Sequence, residues 1–139
     1  MIRKRFPAAS RLALALLLAA PALVAQTALD DATQKLLVDA VEAAAQRDFY
    51  DVRCRSDESG RYIDNLNKEL VGKFRMTVIQ VEDNLFPEGS YRRAQERMQK
   101  EFLAKLKDAG GCKGAKQAGM PEELRKRYDT LMREIDALP

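Results

Sequence analysis

RYIDNLNKELVGKFRMTVIQVEDNL, residues 61–85, is the stretch whose reading decides the fold. Its apolar positions, Ile63, Leu66, Leu70, Phe74, Thr77 with Val78, Val81 and Leu85, recur at steps of three or four. That is the period of one helix face, where a strand would alternate every second residue. Thr77, Val78, Ile79 and Val81 are β-branched and by themselves would suit a short strand. A lone strand needs partners, however, and no other segment offers an alternating run of such residues. The spacing therefore predicts one helix over 61–85. At about 100° per residue, Gly72, Met76 and Ile79 fall on its side opposite the apolar stripe.

Working outward, the punctuation on either side predicts three more helices. A helix over 30–52 opens on Asp30 and Asp31, whose charges suit a helix N-terminus. It carries Leu36, Leu37, Val41, Ala44 and Ala45 on one side, and its alanine cluster would let a neighbour approach closely. After Phe86-Pro87-Glu88-Gly89 breaks the chain, Ser90 is a candidate N-cap for a helix lined by Tyr91, Ala94, Met98, Phe102, Leu106 and Ala109. Gly110-Gly111 ends it. Pro121, followed by Glu122 and Glu123, opens a last helix with Leu124, Tyr128, Leu131, Ile135 and Leu138 inward. The expected fold class is all-α: a small up-down bundle of about four helices with one disulfide.

The disulfide expectation follows from the N-terminus. Arg3, Lys4, Arg5 and Arg11 form a basic region, residues 12–20 are an unbroken apolar run, Pro21 ends it, and Ala22-Leu23-Val24-Ala25 supplies residues suited to a signal peptidase. The apolar stretch is shorter than the roughly 18 residues of a membrane-spanning helix. Residues 1–25 are therefore expected to be a cleaved secretory signal, leaving residues 26–139 as a single helical domain, periplasmic or secreted, with no stable membrane anchor after cleavage. In an oxidising compartment Cys54 and Cys112 are expected to pair. In an up-down bundle both lie at the same end, after the first and third helices. In a square arrangement those helices are diagonal, so the bridge requires the connecting segments to lean across.

Charge bounds the partners. The full chain has 24 basic and 21 acidic residues, and the signal holds four of the basic ones and no acidic one, so the exported part is close to neutral. Residues 26–88 carry 8 basic and 13 acidic groups, and residues 89–139 carry 12 basic and 8 acidic. Neither half is basic enough for a nucleic-acid footprint. The chain contains no histidine. That excludes a Ser-His-Asp triad, a Cys-His pair, an H-E-x-x-H zinc helix and c-type haem attachment. No run of acids has calcium-loop spacing, so neither a metal nor another cofactor is expected. Gly110-Gly-Cys-Lys-Gly-Ala-Lys116 departs from phosphate-loop spacing and follows no strand.

Asp57-Glu58-Ser59-Gly60 resembles the Glu-Ser segment around the catalytic acid of lytic transglycosylases, which cut peptidoglycan. The resemblance implies Glu58 as a general acid, a role that needs no histidine. It covers only these few residues, and the family's following Gly-Leu-Met-Gln type segment is missing here. The composition of residues 56–60 alone reads as a polar connection between helices. The expectation is thus a non-enzymatic protein that acts by binding a protein partner in the cell envelope, as an inhibitor, immunity protein, chaperone or adaptor, or by self-association. Gly72, Met76 and Ile79 are the candidate contact residues. A peptidoglycan-cleaving enzyme using Glu58, or a binder of an apolar small ligand, is the alternative.

Overall fold

A computed structural model describes residues 28–139, so the signal expected over 1–25 lies outside the described residues. Among the described residues six helices follow in order: α1 Asp31–Arg55, α2 Arg61–Phe74, α3 Val78–Leu85, α4 Tyr91–Asp108, α5 Gly111–Gln117 and α6 Met120–Asp136. The all-α class and the disulfide hold. The count of about four does not, for two physical reasons.

The first is a break in the segment expected as one helix over 61–85. Arg75 adopts a left-handed conformation, φ 56°, and closes α2 by donating its N–H to the Leu70 carbonyl. Thr77 then caps α3, its hydroxyl accepting from the Gln80 N–H at 3.2 Å while the Gln80 side chain accepts from the Thr77 N–H at 2.8 Å. Thr-x-x-Gln is a capping-box pattern, which in this case outcompeted a continuous apolar stripe. The stripe survives the break: Leu66, Leu70, Val78 and Val81 are all buried. The second reason is α5, which occupies part of the expected loop after Gly110-Gly111, both of which have positive φ.

The square bundle is also replaced by a centred one. Helix α1 packs against α2, α3, α4 and α6. It buries Leu37, Ala40, Val41, Ala43, Ala44 and Ala45, which point to more than one side of the helix. Its alanines make this possible, since several neighbours can approach a backbone that carries only methyl groups there. Among residues expected inward, Tyr91, the first residue of α4, is instead 42 % exposed.

Among the described residues, two apolar clusters form the core. The larger joins Leu37, Val41, Leu66, Leu70, Val78, Val81, Phe86, Met98, Tyr128 and Ile135. The smaller lies at the C-terminal end of α1 and joins Tyr50, Phe102, Leu106, Ala115, Met120 and Leu124, with Cys54 and Cys112 packed against it. Phe49 touches both and meets the Phe102 ring at 5.9 Å. The Cys54–Cys112 bond crosses from the end of α1 to α5, with Cα atoms 5.5 Å apart. It needs no diagonal reach, because α1 is central. Among the described residues, no helix is long and apolar enough to cross a membrane.

Candidate functional site

The break between α2 and α3 opens a cleft of about 570 Å³ lined by Ala28, Leu29, Lys73, Phe74, Arg75, Met76, Gln80 and Asn84. Its apolar part is Leu29, Phe74 and Met76, each half-buried and packed against the main core. The Lys73 ammonium donates to the carbonyls of Asp136 and Leu138, tying the end of α6 to the cleft wall. Arg75 has no carboxylate at ion-pair distance among the described residues.

The sequence-derived contact residues are distributed around this feature. Gly72 is exposed on α2, and a Cβ placed on it would meet nothing within 4 Å. Met76 sits in the connector and lines the cleft. Ile79 is 50 % exposed on the first turn of α3. They do not share one helix face, because the left-handed Arg75 ends the common axis. Their neighbour Val71 is 40 % exposed, so apolar surface continues along α2. The cleft itself was not legible in the sequence, although Thr77 and Gln80 at capping-box spacing carried its signal.

Glu58 is exposed in the α1–α2 connection and lines none of the clefts described. The connection is an Asx turn: the Asp57 carboxylate accepts from the Ser59 N–H at 3.0 Å and pairs with Arg61. These bonds, from Ser59 first and Arg61 second, lower the Asp57 pKa. Among the described residues, no group of three or more His, Cys, Asp or Glu side chains is placed to hold a metal.

Charged groups that sequence reasoning did not single out are buried between helices. Arg47 of α1 is 7 % exposed. It donates to the Tyr62 hydroxyl and to the Pro121 carbonyl at 3.4 Å, with its guanidinium carbon 4.2 Å from the Tyr62 ring centre. Tyr62 in turn meets Tyr128 edge to face at 5.0 Å. A buried cation is tolerable when ring faces and carbonyls replace its water, and these groups join α1, α2 and α6. Burial, with Asp48 nearby, raises the Tyr128 pKa to about 12. Asp48 accepts from the N–H groups of Tyr62 and Ile63, which cap α2, yet burial outweighs these bonds and raises its pKa.

Arg97 of α4 pairs with Glu42 of α1 at 3.3 Å, with Glu88, and with Glu101 at 2.9 Å. Burial alone would raise the Glu88 pKa, but the Arg97 bond and charge leave it lowered. Glu82, 1 % exposed, accepts from the Gln95 amide, and burial raises its pKa to about 6. Each of these groups bonds to neighbouring protein groups and fastens one helix to the next, with the Arg47 Nε and one Glu88 carboxylate oxygen buried without a partner.

The second cleft, of about 590 Å³, runs between α1 and α6 along Lys35, Asp39, Glu123, Lys126, Arg127, Thr130 and Leu131. Its charges are of both signs, and Lys35 and Asp39 already pair with each other. It offers one apolar side chain, Leu131, and so less anchoring surface than the α2–α3 cleft. No protein-family model, curated protein or solved structure matches this chain.

Proposed function

We propose that the exported protein acts by binding a protein partner in the cell envelope, and that the α2–α3 cleft is the contact. The observation that supports this reading is the break itself. It leaves the half-buried apolar side chains of Met76 and Phe74 in a concave surface, with Ile79 and Val71 exposed on the two helices that flank the break. Apolar side chains gathered around a recess are the usual centre of a protein contact, and an unbranched methionine adapts its shape to what it meets. An inhibitor, an immunity protein, a chaperone and an adaptor all work in this way, by covering part of a partner's surface.

The experiment is site-specific photocrosslinking in the producing cells. A photoreactive residue at position 76 or 79 is expected to give a discrete adduct, and the same residue at Glu134, exposed on α6, is expected to give none. An adduct at twice the chain mass identifies a second copy as the partner. Equal labelling from all three positions, or none from 76 and 79, removes the cleft as the contact.

A further inference from the structure

We propose that the disulfide-closed end of the bundle carries a separate site for a single-chain anionic amphiphile, of the class of a medium-chain fatty-acid anion. The cleft there, about 530 Å³, is lined by Arg53 of α1, Leu103, Leu106 and Lys107 of α4, and Gly111 and Cys112 of α5. It falls within the roughly 300–1,000 Å³ typical of small-ligand sites. It lies at the opposite end of α1 from the α2–α3 cleft, a helix of 25 residues and so about 37 Å long. It stands independently of the protein-binding reading above.

The lining divides into an apolar floor and a cationic rim. Leu106 is 5 % exposed, but Leu103 is 39 % exposed. Cys112 is held in place by its bond to Cys54. Arg53 and Lys107 are both exposed, and no carboxylate among the described residues lies at ion-pair distance from either. Residues 1–27 contain no Asp or Glu to pair with them. Arg53 stands in the last turn of α1 and Lys107 in the last turn of α4, where cations answer the helix dipole. The two helix ends supply only about half a negative charge each, and in the last turn of α4 Lys105 offsets Asp108. The rim therefore keeps a positive surplus that favours an anionic head group.

Charge complementarity selects an anion, and the floor selects its body. Leu103, Leu106 and the bonded cysteine present no donor or acceptor side chain, so a peptide's amides would find side-chain partners only at the rim. A hydrocarbon chain makes no such demand, and each buried methylene contributes favourably.

The test is an NMR titration of isotopically labelled, oxidised mature protein with three probes kept monomeric in solution: decanoate, decyltrimethylammonium and acetate. Decanoate is expected to shift the signals of Leu103, Leu106 and Cys112 and to bind at least tenfold more tightly than either other probe. In the double variant Arg53→Gln, Lys107→Gln, its affinity is expected to fall at least tenfold with the fold retained and the melting temperature only slightly lower, since both side chains are exposed and without a carboxylate partner. Equal binding of the cationic probe shows that the rim does not select, and equal binding of acetate shows that the floor does not. Either result overturns the proposal. So do shifts confined to the α2–α3 cleft, unchanged affinity in the double variant, or no binding of decanoate.

Discussion

Glu82 shows how one side chain sets a pH dependence. Its carboxyl is 1 % exposed, and its pKa is raised from 4.5 to about 6 by burial against the single bond from Gln95. The folded state therefore holds its proton more tightly than the unfolded chain does. The contribution is most favourable below pH 4.5 and is lost as pH rises through 6. The difference corresponds to about 2 kcal/mol at neutral pH. Glu82→Gln keeps an acceptor for Gln95 and has no charge to desolvate. It is expected to stabilise the protein by about 1–2 kcal/mol at pH 7 and by little at pH 4. Urea unfolding of both proteins across this range checks it; a variant as stable as the parent at pH 7 would refute the assignment. The comparison must be between the two proteins, because Asp30 and Glu88 have lowered pKa values and act in the opposite sense as the pH falls.

Between elements, the recurring device is a helix N-terminus capped from the preceding helix. Asp48 of α1 caps α2, Asn67 of α2 accepts from the first N–H of α3 at 2.9 Å, and Asp83 of α3 accepts from the first N–H of α4 at 2.6 Å. Each cap fixes the angle between consecutive helices as well as satisfying a backbone donor. The α4–α5 corner relies on close approach instead. A Cβ on Gly114 would lie 1.8 Å from the Ala109 carbonyl oxygen, so Gly114→Ala must push α5 off the end of α4. A loss of at least about 2 kcal/mol is expected in thermal or denaturant unfolding, although alanine is the better helix former. The disulfide holds the same corner. It spans 58 residues, which on a chain-entropy treatment stabilises by about 4 kcal/mol, an upper figure. Replacing Cys54 and Cys112 with Ser is expected to cost about 2–4 kcal/mol. Hydrogen exchange should rise first in α5, whose packing partners are α4 and α6, and last in α1. Uniform acceleration across all helices would mean that the smaller cluster is not separable.

The architecture as a whole rests on the small side chains of the central helix. Ala40, Ala43, Ala44 and Ala45 are each at most 1 % exposed, so no direction is open in which a larger residue could point. Ala44→Leu is expected to destabilise by about 1–3 kcal/mol through overpacking, whereas Ala104→Leu on the exposed face of α4 should change little. Melting temperatures of the two variants, measured together, test the central position of α1. Much of this arrangement was legible in the sequence. Local periodicity placed the apolar faces of α2, α4 and α6, and cysteine arithmetic anticipated the disulfide, because these depend on neighbours along the chain and on cysteine count. The position of α1 was not legible, since an alanine cluster is compatible with one close neighbour or with four, and only the docked helices distinguish these. The break at Arg75 was hidden for a related reason: the apolar stripe continues through it, and the capping box prevails only once Asn67 is placed to receive the Val78 N–H. Both clefts depend on such placement. Met76 lines one because the helix axis ends beside it, and Arg53 and Lys107, distant in sequence, flank the other because α1 and α4 finish at the same end. Sequence by itself determined the all-helical class and which side of most helices is apolar, because both follow from interactions a few residues apart. Tertiary structure alone decided which helix is central and where the surface opens, because these depend on contacts between residues far apart in the chain.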